Sequence, residues 1–390
     1  LDVNRREGVC VAGLVVALLV ALVPAPATAQ EAPGVTLHAG RRSIEYGKSV
    51  LLRGKISPAS EGETISIFDE QGRERANATT DDEGKYRVRV SPRYTTRFQA
   101  RWVAVLSEPV TVEVRPQVGV RLRAVRLFGK ARVTGTVRPA QDAGRVTVEL
   151  SRSGSKQWSR KVRLRDGRRF GTTFTVRRPG GHVARASFTD ATGARGRDRS
   201  RSVSPPLPYL TTGSRGVFVR LLENRLCALA YHLNDCDRRY TEHTADAMRA
   251  FNKVEGRERL GTVDGATWHA LARAHRPAPR FRTKGFHIEV DQTRQVLFMV
   301  RDKRVTGILH VSTGANGYTH DGTYRVFRKL AGYSPGRLYY PSYFDGRRAL
   351  HGWPEVPTYN ASHGCVRLPM WSATWAYGKA DIGTAIHIYH

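Results

Sequence analysis

The sequence is short of acidic residues, of cysteine and of long apolar runs, and each shortage narrows what the chain can be. Asp and Glu number 34 against 64 Lys and Arg, which leaves a formal net charge of +30 at pH 7. The deficit is uneven. Residues 116–210 hold 22 Lys and Arg against 5 Asp and Glu, net +17, whereas residues 30–115 hold 14 against 12, net +2. One module therefore concentrates the charge and is the candidate polyanion contact, because clustered cations focus the field over one surface; the alternative is an Arg-rich solvated face. The longest apolar run, Val9 to Val23, has 15 residues, fewer than the roughly 18 that argue for a helical membrane span. Arg5 and Arg6 precede it and Ala27 and Ala29 follow. That is the layout of a secretory signal peptide cleaved after Ala29, so residues 1–29 are expected to direct export, with an uncleaved anchor as the alternative. Export removes nucleic acid from the partners that so basic a chain would otherwise suggest. It leaves wall polymers and lipid head groups as the available polyanions.

The four cysteines divide into three groups. Cys10 belongs to the signal peptide. Cys227 and Cys236 lie close together in "RLCALAYHLNDCDRRY", and an oxidising exterior favours pairing them as a disulfide. Cys365 is left over. An unpaired cysteine in an exported protein marks a reactive thiol; the alternative is a buried structural cysteine. No CxxC and no HxxxH pair occurs, so a zinc site is not supported and no metal is expected.

A chain of 390 residues predicts about two to four domains. Residues 34–204 read as β: "VLLRGKI", "TISIF", "KYRVRV" and "VTVEV" alternate apolar and polar positions between Gly, Pro and Asp turns. "YGKSVLLRGKISPASEGETISIF", from Tyr46, is repeated as "FGKARVTGTVRPAQDAGRVTVEL", from Phe128, at an offset of about 81 residues. The spacing suits two immunoglobulin-like β-sandwiches in tandem, 34–115 and a basic one at 116–204. Both resemble the small β-sandwich modules of bacterial surface proteins, and neither contains a catalytic constellation. After the Pro-rich "SVSPPLPYL" the period changes. Leu222, Leu226 and Leu229, then Met248 and Phe251, recur at helical spacing across 213–274. "GSRGVFVRLLENRLCALAY", "TEHTADAMRAFNKVEG" and "GTVDGATWHALARA" resemble a three-helix peptidoglycan-binding domain, the Asp264-Gly265 turn before Thr267-Trp268 most of all. Glu223 and Asn252 stand where that family usually has Gln, and a cysteine-bearing loop replaces part of a turn; the alternative is a helical spacer.

Beyond "HRPAPRFR", residues 283–390 are β again. "FHIEV" and "QVLFMV" read as a hairpin around Gln292 to Arg294. Phe286, Ile288 and Val290 fall on one face, and His287, Glu289 and Asp291 are expected on the solvent face of that strand. The chemistry lies further on, in "ALHGWPEVPTYNASHGCVRLPMW". Two His-Gly pairs, at His351 and His363, flank a short loop, and Cys365 follows the second. Thiol chemistry needs a thiolate, and an imidazole or a cation beside the sulfur supplies it. Gly352 and Gly364 let backbone approach a substrate closely. The N–H groups near Gly364 and Cys365 are candidates for an oxyanion hole, and Arg367 adds positive charge near the thiol or a hold on a carboxylate.

"HG…SHGCVR" resembles the active-site motif of the L,D-transpeptidases, the YkuD-type catalytic domain. So do "QVLFMVRDKRVTGILHVSTG", "THDGTYRV" and "YYPSYFDGRRALHG" around it, with His320 where the family has Pro. The resemblance covers about Gly285 to His390 and implies the following. Cys365 attacks the carbonyl between diaminopimelate and D-Ala of a tetrapeptide stem and forms a thioester. His351 is base and then acid, with its ring oriented by the Gly352 carbonyl. Backbone N–H groups around Gly364 and Cys365 hold the oxyanion, and an amine of a second stem completes a 3→3 cross-link. His363 is a positioning residue. Ser362 and Arg367 support the site or hold a substrate carboxylate, and Tyr339, Tyr340, Tyr343, Phe344 and Trp353 line the donor groove or pack. Peptidoglycan stem peptides are the implied partners, carbapenems the implied inhibitors, and no metal or organic cofactor is needed. With water as acceptor the same thiol gives a carboxypeptidase. A non-catalytic wall-binding surface protein is the alternative from another class, against which Cys365, His351 and His363 argue.

Overall fold

The computed structural model describes residues 32–390. The expected signal peptide, residues 1–29, lies outside the described residues. Among the described residues the chain is mainly β with four α-helices, and it divides into two compact units that part between Glu113 and Val114.

In the first unit, strand Val50–Ser57 runs between Gly34–Val35 and His38–Ala39 and also pairs with Lys85–Val90. A second antiparallel sheet orders Ser43–Glu45, Val110–Arg115, Thr96–Trp102, Thr64–Asp69 and Glu74–Thr79. The alternation read from the sequence supplies the core: Leu52, Ile56, Ile65, Ile67, Phe98 and Val112 are buried while their neighbours face out.

The second unit begins with the repeat. Strands Gln117–Arg123, Lys130–Arg138 and Arg169–Thr175 form one sheet, and Ser155–Arg163, Arg145–Arg152, His182–Thr189 and Arg195–Arg199 another. The repeat reaches individual atoms. At Gly54 a Cβ would lie 1.9 Å from the Thr36 carbonyl and 2.5 Å from the Tyr86 hydroxyl; at Gly135 it would lie 2.2 Å from both the Gly119 carbonyl and the Phe170 ring. Each glycine sits mid-strand, a position it ordinarily weakens, because an aromatic ring from the paired strand occupies the space of a side chain.

Helices α1 (Val217–Ala228), α2 (Glu242–Val254) and α3 (Gly265–Arg273) follow. Their apolar stripes are buried as the spacing requires: Leu222, Leu226, Met248, Phe251 and Leu271 have no exposed surface. Asp264 caps α3 by accepting the Thr267 N–H at 2.7 Å. The two unusual polar residues turn inward. Glu223 accepts from Thr244 Oγ1 (3.1 Å), and Asn252 donates to the Leu260 carbonyl (2.8 Å). Both therefore hold internal turns.

Two sheets form the last part of the chain. The first orders Arg304–His310, Val296–Arg301, Phe286–Asp291, Ala385–Tyr389 and Gly322–Arg325; the second orders Arg328–Lys329, Tyr339–Asp345, Arg348–Trp353 and Val366–Pro369. Helix α4 (Met370–Lys379) packs on the second. The first sheet is buried on both faces. Val296, Phe298 and Val300 join the core of the helical segment, while Leu297 and Met299 join the core between the two sheets. "VLFMV" is apolar at every position for that reason.

The same double burial corrects one expectation. His287, Glu289 and Asp291 do not face solvent; they are 2%, 0% and 3% exposed. The "HRPAPRFR" connection folds back over them, the Glu289 carboxylate accepts the Arg280 and Phe281 N–H groups at 2.9 and 2.8 Å, and His287 Nε2 lies 3.1 Å from Glu289 Oε1. Alternation identified the face correctly, and only the returning chain decided that it was covered. Among the described residues no group of three or more His, Cys, Asp or Glu is placed to hold a metal ion, and no helix is long and apolar enough to cross a membrane.

Gly54→Ala and Gly135→Ala should each lower stability by about 1–3 kcal/mol, the usual cost of forcing atoms into filled space. Gly378→Ala, in α4 with open space around its Cβ position, should be neutral or stabilising. Thermal unfolding of the three variants checks the contrast.

Candidate active site

The site is built on one parallel strand pair. Arg348–Trp353 and Val366–Pro369 pair in the register Leu350↔Val366, His351↔Arg367, Gly352↔Leu368. Leu350 and Val366 are 2% and 0% exposed in the core between the sheets. Side chains alternate along a strand, so His351, Arg367 and Cys365, each one residue from a core position, share the opposite face. Cys365 immediately precedes the second strand, and its Sγ lies by the carbonyl of Arg347, the residue just before the first.

His351 is 2% exposed. Its Nδ1 lies 2.9 Å from the Gly352 carbonyl, which can only accept, so Nδ1 carries the proton and Nε2 keeps its lone pair. Burial lowers its pKa to about 4, against the smaller opposing effect of the Gly352 hydrogen bond and with help from the Arg367 charge. The ring is neutral at pH 7. Gly352 has no room for a Cβ, which would meet Ala373 at 2.8 Å, Tyr339 at 2.9 Å and the Met370 sulfur at 3.2 Å. The His-Gly pair is a packing requirement as well as a hydrogen-bonding one.

Cys365 is half-buried, and its Sγ lies 3.8 Å from the Arg347 carbonyl. Burial raises its pKa, opposed by a backbone hydrogen bond from Ala349 and by the charges of Arg367 and Arg348. Burial thus works toward a neutral thiol and a neutral imidazole. Arg367 also stacks over Trp353, 5.2 Å from its ring centre, and Trp353 stands edge-on to His351 at 5.7 Å.

The turn before Cys365 is fixed by hydrogen bonds. Ser362 Oγ donates to the Cys365 carbonyl at 2.5 Å and accepts the Gly364 N–H at 3.1 Å. This corrects the expected oxyanion hole: the Gly364 amide is committed to Ser362, and of the two amides only that of Cys365 has no partner among the described residues. Gly364 has φ +122°, and a Cβ there would lie 2.8 Å from Arg348 Nε and 2.9 Å from the Tyr318 carbonyl, so no other residue fits.

The other expected residues divide. His363 is exposed. Tyr340 makes edge contacts with Tyr339 (4.8 Å) and Tyr377 (5.1 Å). Tyr343 and Phe344 do not form a groove wall: they are 6% and 4% exposed, Tyr343 under the Arg328 guanidinium and Phe344 in the core against Tyr324. The expected disulfide is present only as proximity. Cys227 and Cys236 are free thiols with Sγ atoms 3.3 Å apart, against about 2.05 Å for a bonded pair.

Three supporting residues were not foreseen. Thr319 accepts the Gly314 N–H (2.7 Å) and donates to the Gly364 carbonyl (2.8 Å), tying the Ser312-Thr313-Gly314 turn to the cysteine turn. Gln295 binds Thr313 twice, through its N–H (2.8 Å) and its hydroxyl (2.7 Å). Arg348, paired with Asp345 at 2.5 Å, brings its guanidinium against Gly364. Thr319 opens "THDGTYRV" and Gln295 opens "QVLFMVRDKRVTGILHVSTG", both stretches that carry the family resemblance, but only the contacts show what the two side chains hold.

Residues 285–388 match the family model of the L,D-transpeptidase catalytic domain, YkuD. Among solved structures, an L,D-transpeptidase from Xylanimonas cellulosilytica is 34% identical over 47% of this chain and all of its own, with a TM-score of 0.44. One from Stackebrandtia nassauensis is 26% identical over 46% of this chain and 95% of its own, with a TM-score of 0.30. The Enterococcus faecium catalytic domain acylated by ertapenem is 22% identical over 28% of this chain and all of its own, with a TM-score of 0.24. No curated protein matches. The sequence match over 285–388 and the identity to the Xylanimonas enzyme agree with the motif that closes on Cys365: the chain belongs to the L,D-transpeptidase family, with its YkuD-type catalytic domain at the C-terminal end.

Proposed function

We propose that the chain is an exported cysteine L,D-transpeptidase that forms 3→3 cross-links between peptidoglycan stems. The observation that carries this reading is the parallel pairing of the His351 strand with the strand that begins immediately after Cys365, with the ring nitrogen Nδ1 held by the Gly352 carbonyl and Nε2 left as the base. The thiol sulfur attacks the carbonyl carbon between diaminopimelate and D-Ala while its proton passes to His351 Nε2. The negative oxygen that results is met by the Cys365 N–H. The C–N bond then breaks, His351 returns the proton to the departing amine, and D-Ala leaves. A thioester remains. The amine of a second stem attacks it, loses a proton to His351, and the sulfur departs and is reprotonated. Every proton that moves is accounted for by one imidazole, so no metal or cofactor is required.

The export reading rests on the pattern of residues 5–29. The helical segment 213–274 is read as a peptidoglycan-binding module and the two N-terminal sandwiches as immunoglobulin-like modules that extend the reach of the enzyme. The second sandwich has an outer face that suits an anionic wall polymer. Arg185 and Arg199 stand directly opposite each other across the pair of strands, with Arg197 and Arg195 beyond them. Like charges in that position are unfavourable unless an anion compensates them. The groove they border also contains Glu149, already paired with Lys156 at 2.5 Å.

Incubation with a disaccharide-tetrapeptide should add the tripeptide to Cys365 with loss of D-Ala, detected by intact mass, and product analysis should show a 3→3 dimer. Cys365→Ala should remain folded and lose all adduct; hydrolysed tripeptide as the sole product would replace transfer with carboxypeptidase action. Because burial raises the Cys365 pKa and keeps His351 neutral, alkylation of Cys365 by iodoacetamide should rise steadily with pH and still be rising above the ordinary thiol range near 8.5. A plateau already reached at pH 6, the mark of a preformed thiolate–imidazolium pair, would refute the neutral pair. Binding to isolated walls should fall steeply between about 0.1 M and 1 M salt, as the screening length shrinks from about 10 Å to about 3 Å, and an Arg185→Ala, Arg197→Ala, Arg199→Ala variant should bind less and depend less on salt. Salt-insensitive binding would remove the basic face from the mechanism of wall contact.

A further inference from the structure

The helical segment does more than adjoin the catalytic domain. Lys253, on α2, is 3% exposed, and its Nζ enters the catalytic fold, where it reaches the Gln295 carbonyl at 2.9 Å, the Val311 carbonyl at 3.0 Å and His310 Nδ1 at 2.7 Å. His310 is itself buried, and its Nε2 lies 2.8 Å from the Val356 carbonyl. These four bonds need four protons on the two side chains. A charged Lys253 with neutral His310 supplies them, and so does a neutral amine with a charged imidazole. Burial lowers the Lys253 pKa to about 6 and that of His310 well below its usual value. The geometry retains one shared proton on the pair, since losing it would either strip a buried carbonyl of its donor or leave the Nζ and Nδ1 lone pairs facing each other at 2.7 Å.

Two routes lead from Lys253 to the cysteine turn. The first runs through His310 to Val356, in the loop between the His351 strand and Cys365. The second runs through Gln295, whose side chain holds Thr313, whose carbonyl in turn accepts the Ala361 and Ser362 N–H groups at 2.9 and 3.0 Å. Ser362 binds both Gly364 and Cys365. A third tie is parallel to these: Arg259, just beyond α2, donates to the carbonyls of Thr358 and Thr293. A spacer or a wall-binding module has no need of a buried ammonium, which is costly to desolvate, inside its neighbour.

We infer that Lys253 is a positioning residue of the catalytic site, supplied by the helical segment, which through His310 and Gln295 sets the backbone of residues 354–364 and so the aim of Cys365. The inference rests on Cys365 as the reacting thiol. It makes the helical segment part of the enzyme and predicts that a catalytic domain cut at residue 283 has a loosened cysteine turn.

The test compares full-length wild type with Lys253→Met, which keeps the stem and removes the charge, at a temperature where both are folded by circular dichroism. Amide hydrogen exchange across 354–364 should quicken at least tenfold in the variant. Acylation of Cys365 by ertapenem, followed by intact mass, should slow about tenfold or more, while alkylation of Cys365 by iodoacetamide, which needs only an accessible thiolate, should stay within about threefold. His310→Leu should reproduce these effects, and His310→Gln, which keeps an amide for the Val356 carbonyl, should recover part of the acylation rate. Should Lys253→Met fail to fold, Arg259→Ala removes the third tie alone and should quicken exchange around Thr358. Unchanged exchange in 354–364 with an unchanged acylation rate, even if the melting temperature falls, would reduce Lys253 to a structural residue. Absence of acylation in the wild type would refute the thiol assignment, and the exchange data would still decide the positioning role.

Discussion

The site depends on one constraint, the parallel register of two short strands. Leu350 lies opposite Val366, and both point into the core between the sheets. With that pair fixed, the pleat leaves no choice for its neighbours: His351, Cys365 and Arg367 must emerge on the other face. A slip of one residue would bury the thiol and expose the core valine, so the apolar pair specifies the register as firmly as any polar contact. The two glycines serve the same constraint. Gly352 lets Tyr339 and α4 close over the strand, and Gly364 lets the chain turn under Arg348 immediately before the cysteine.

Around this pair the fold excludes water in steps. The sheet formed by Phe286–Asp291 and its partners is covered on one side by the second sheet and on the other by the helical segment and its connection. Burial then biases the protonation of His351 and Cys365. It holds the imidazole unprotonated and the thiol protonated, although Arg367 and Arg348 act in favour of the thiolate. In the proposed mechanism, charge separation is left to the moment when a substrate carbonyl is present to receive the sulfur. The buried polar residues around the turn follow the general rule that such groups are kept only when bonded: Ser362, Thr319, Gln295 and His310 each have two partners, among them backbone groups of Cys365, Gly364, Thr313 and Val356.

Much of this was legible in the residues. The helical stripes Leu222-Leu226 and Met248-Phe251 and the hairpin around Gln292 to Arg294 follow from period, turn chemistry and residue type. Where the reading failed, it failed on coverage. His287, Glu289 and Asp291 have the spacing of a solvent face and are buried by a segment that follows no periodic rule. Tyr343 and Phe344 have the composition of a groove wall and are core. The Gly364 amide looks available in sequence and is occupied by a serine two residues away.

The sequence by itself determined the local facts: which segments are strands and helices, which face of each is apolar, and which thiol lies beside which imidazole along the chain. These depend on interactions within a few residues, or on a motif that repeats them. Only the tertiary structure decided what lies on top of each face. Glu289 is held by the N–H groups of Arg280 and Phe281, and Lys253 lies 57 residues before the His310 it binds. Contacts of that range are set by the packing of whole elements, which no local pattern encodes, and they determine which polar groups are solvated, which are paired, and which residues outside the motif hold the cysteine in place.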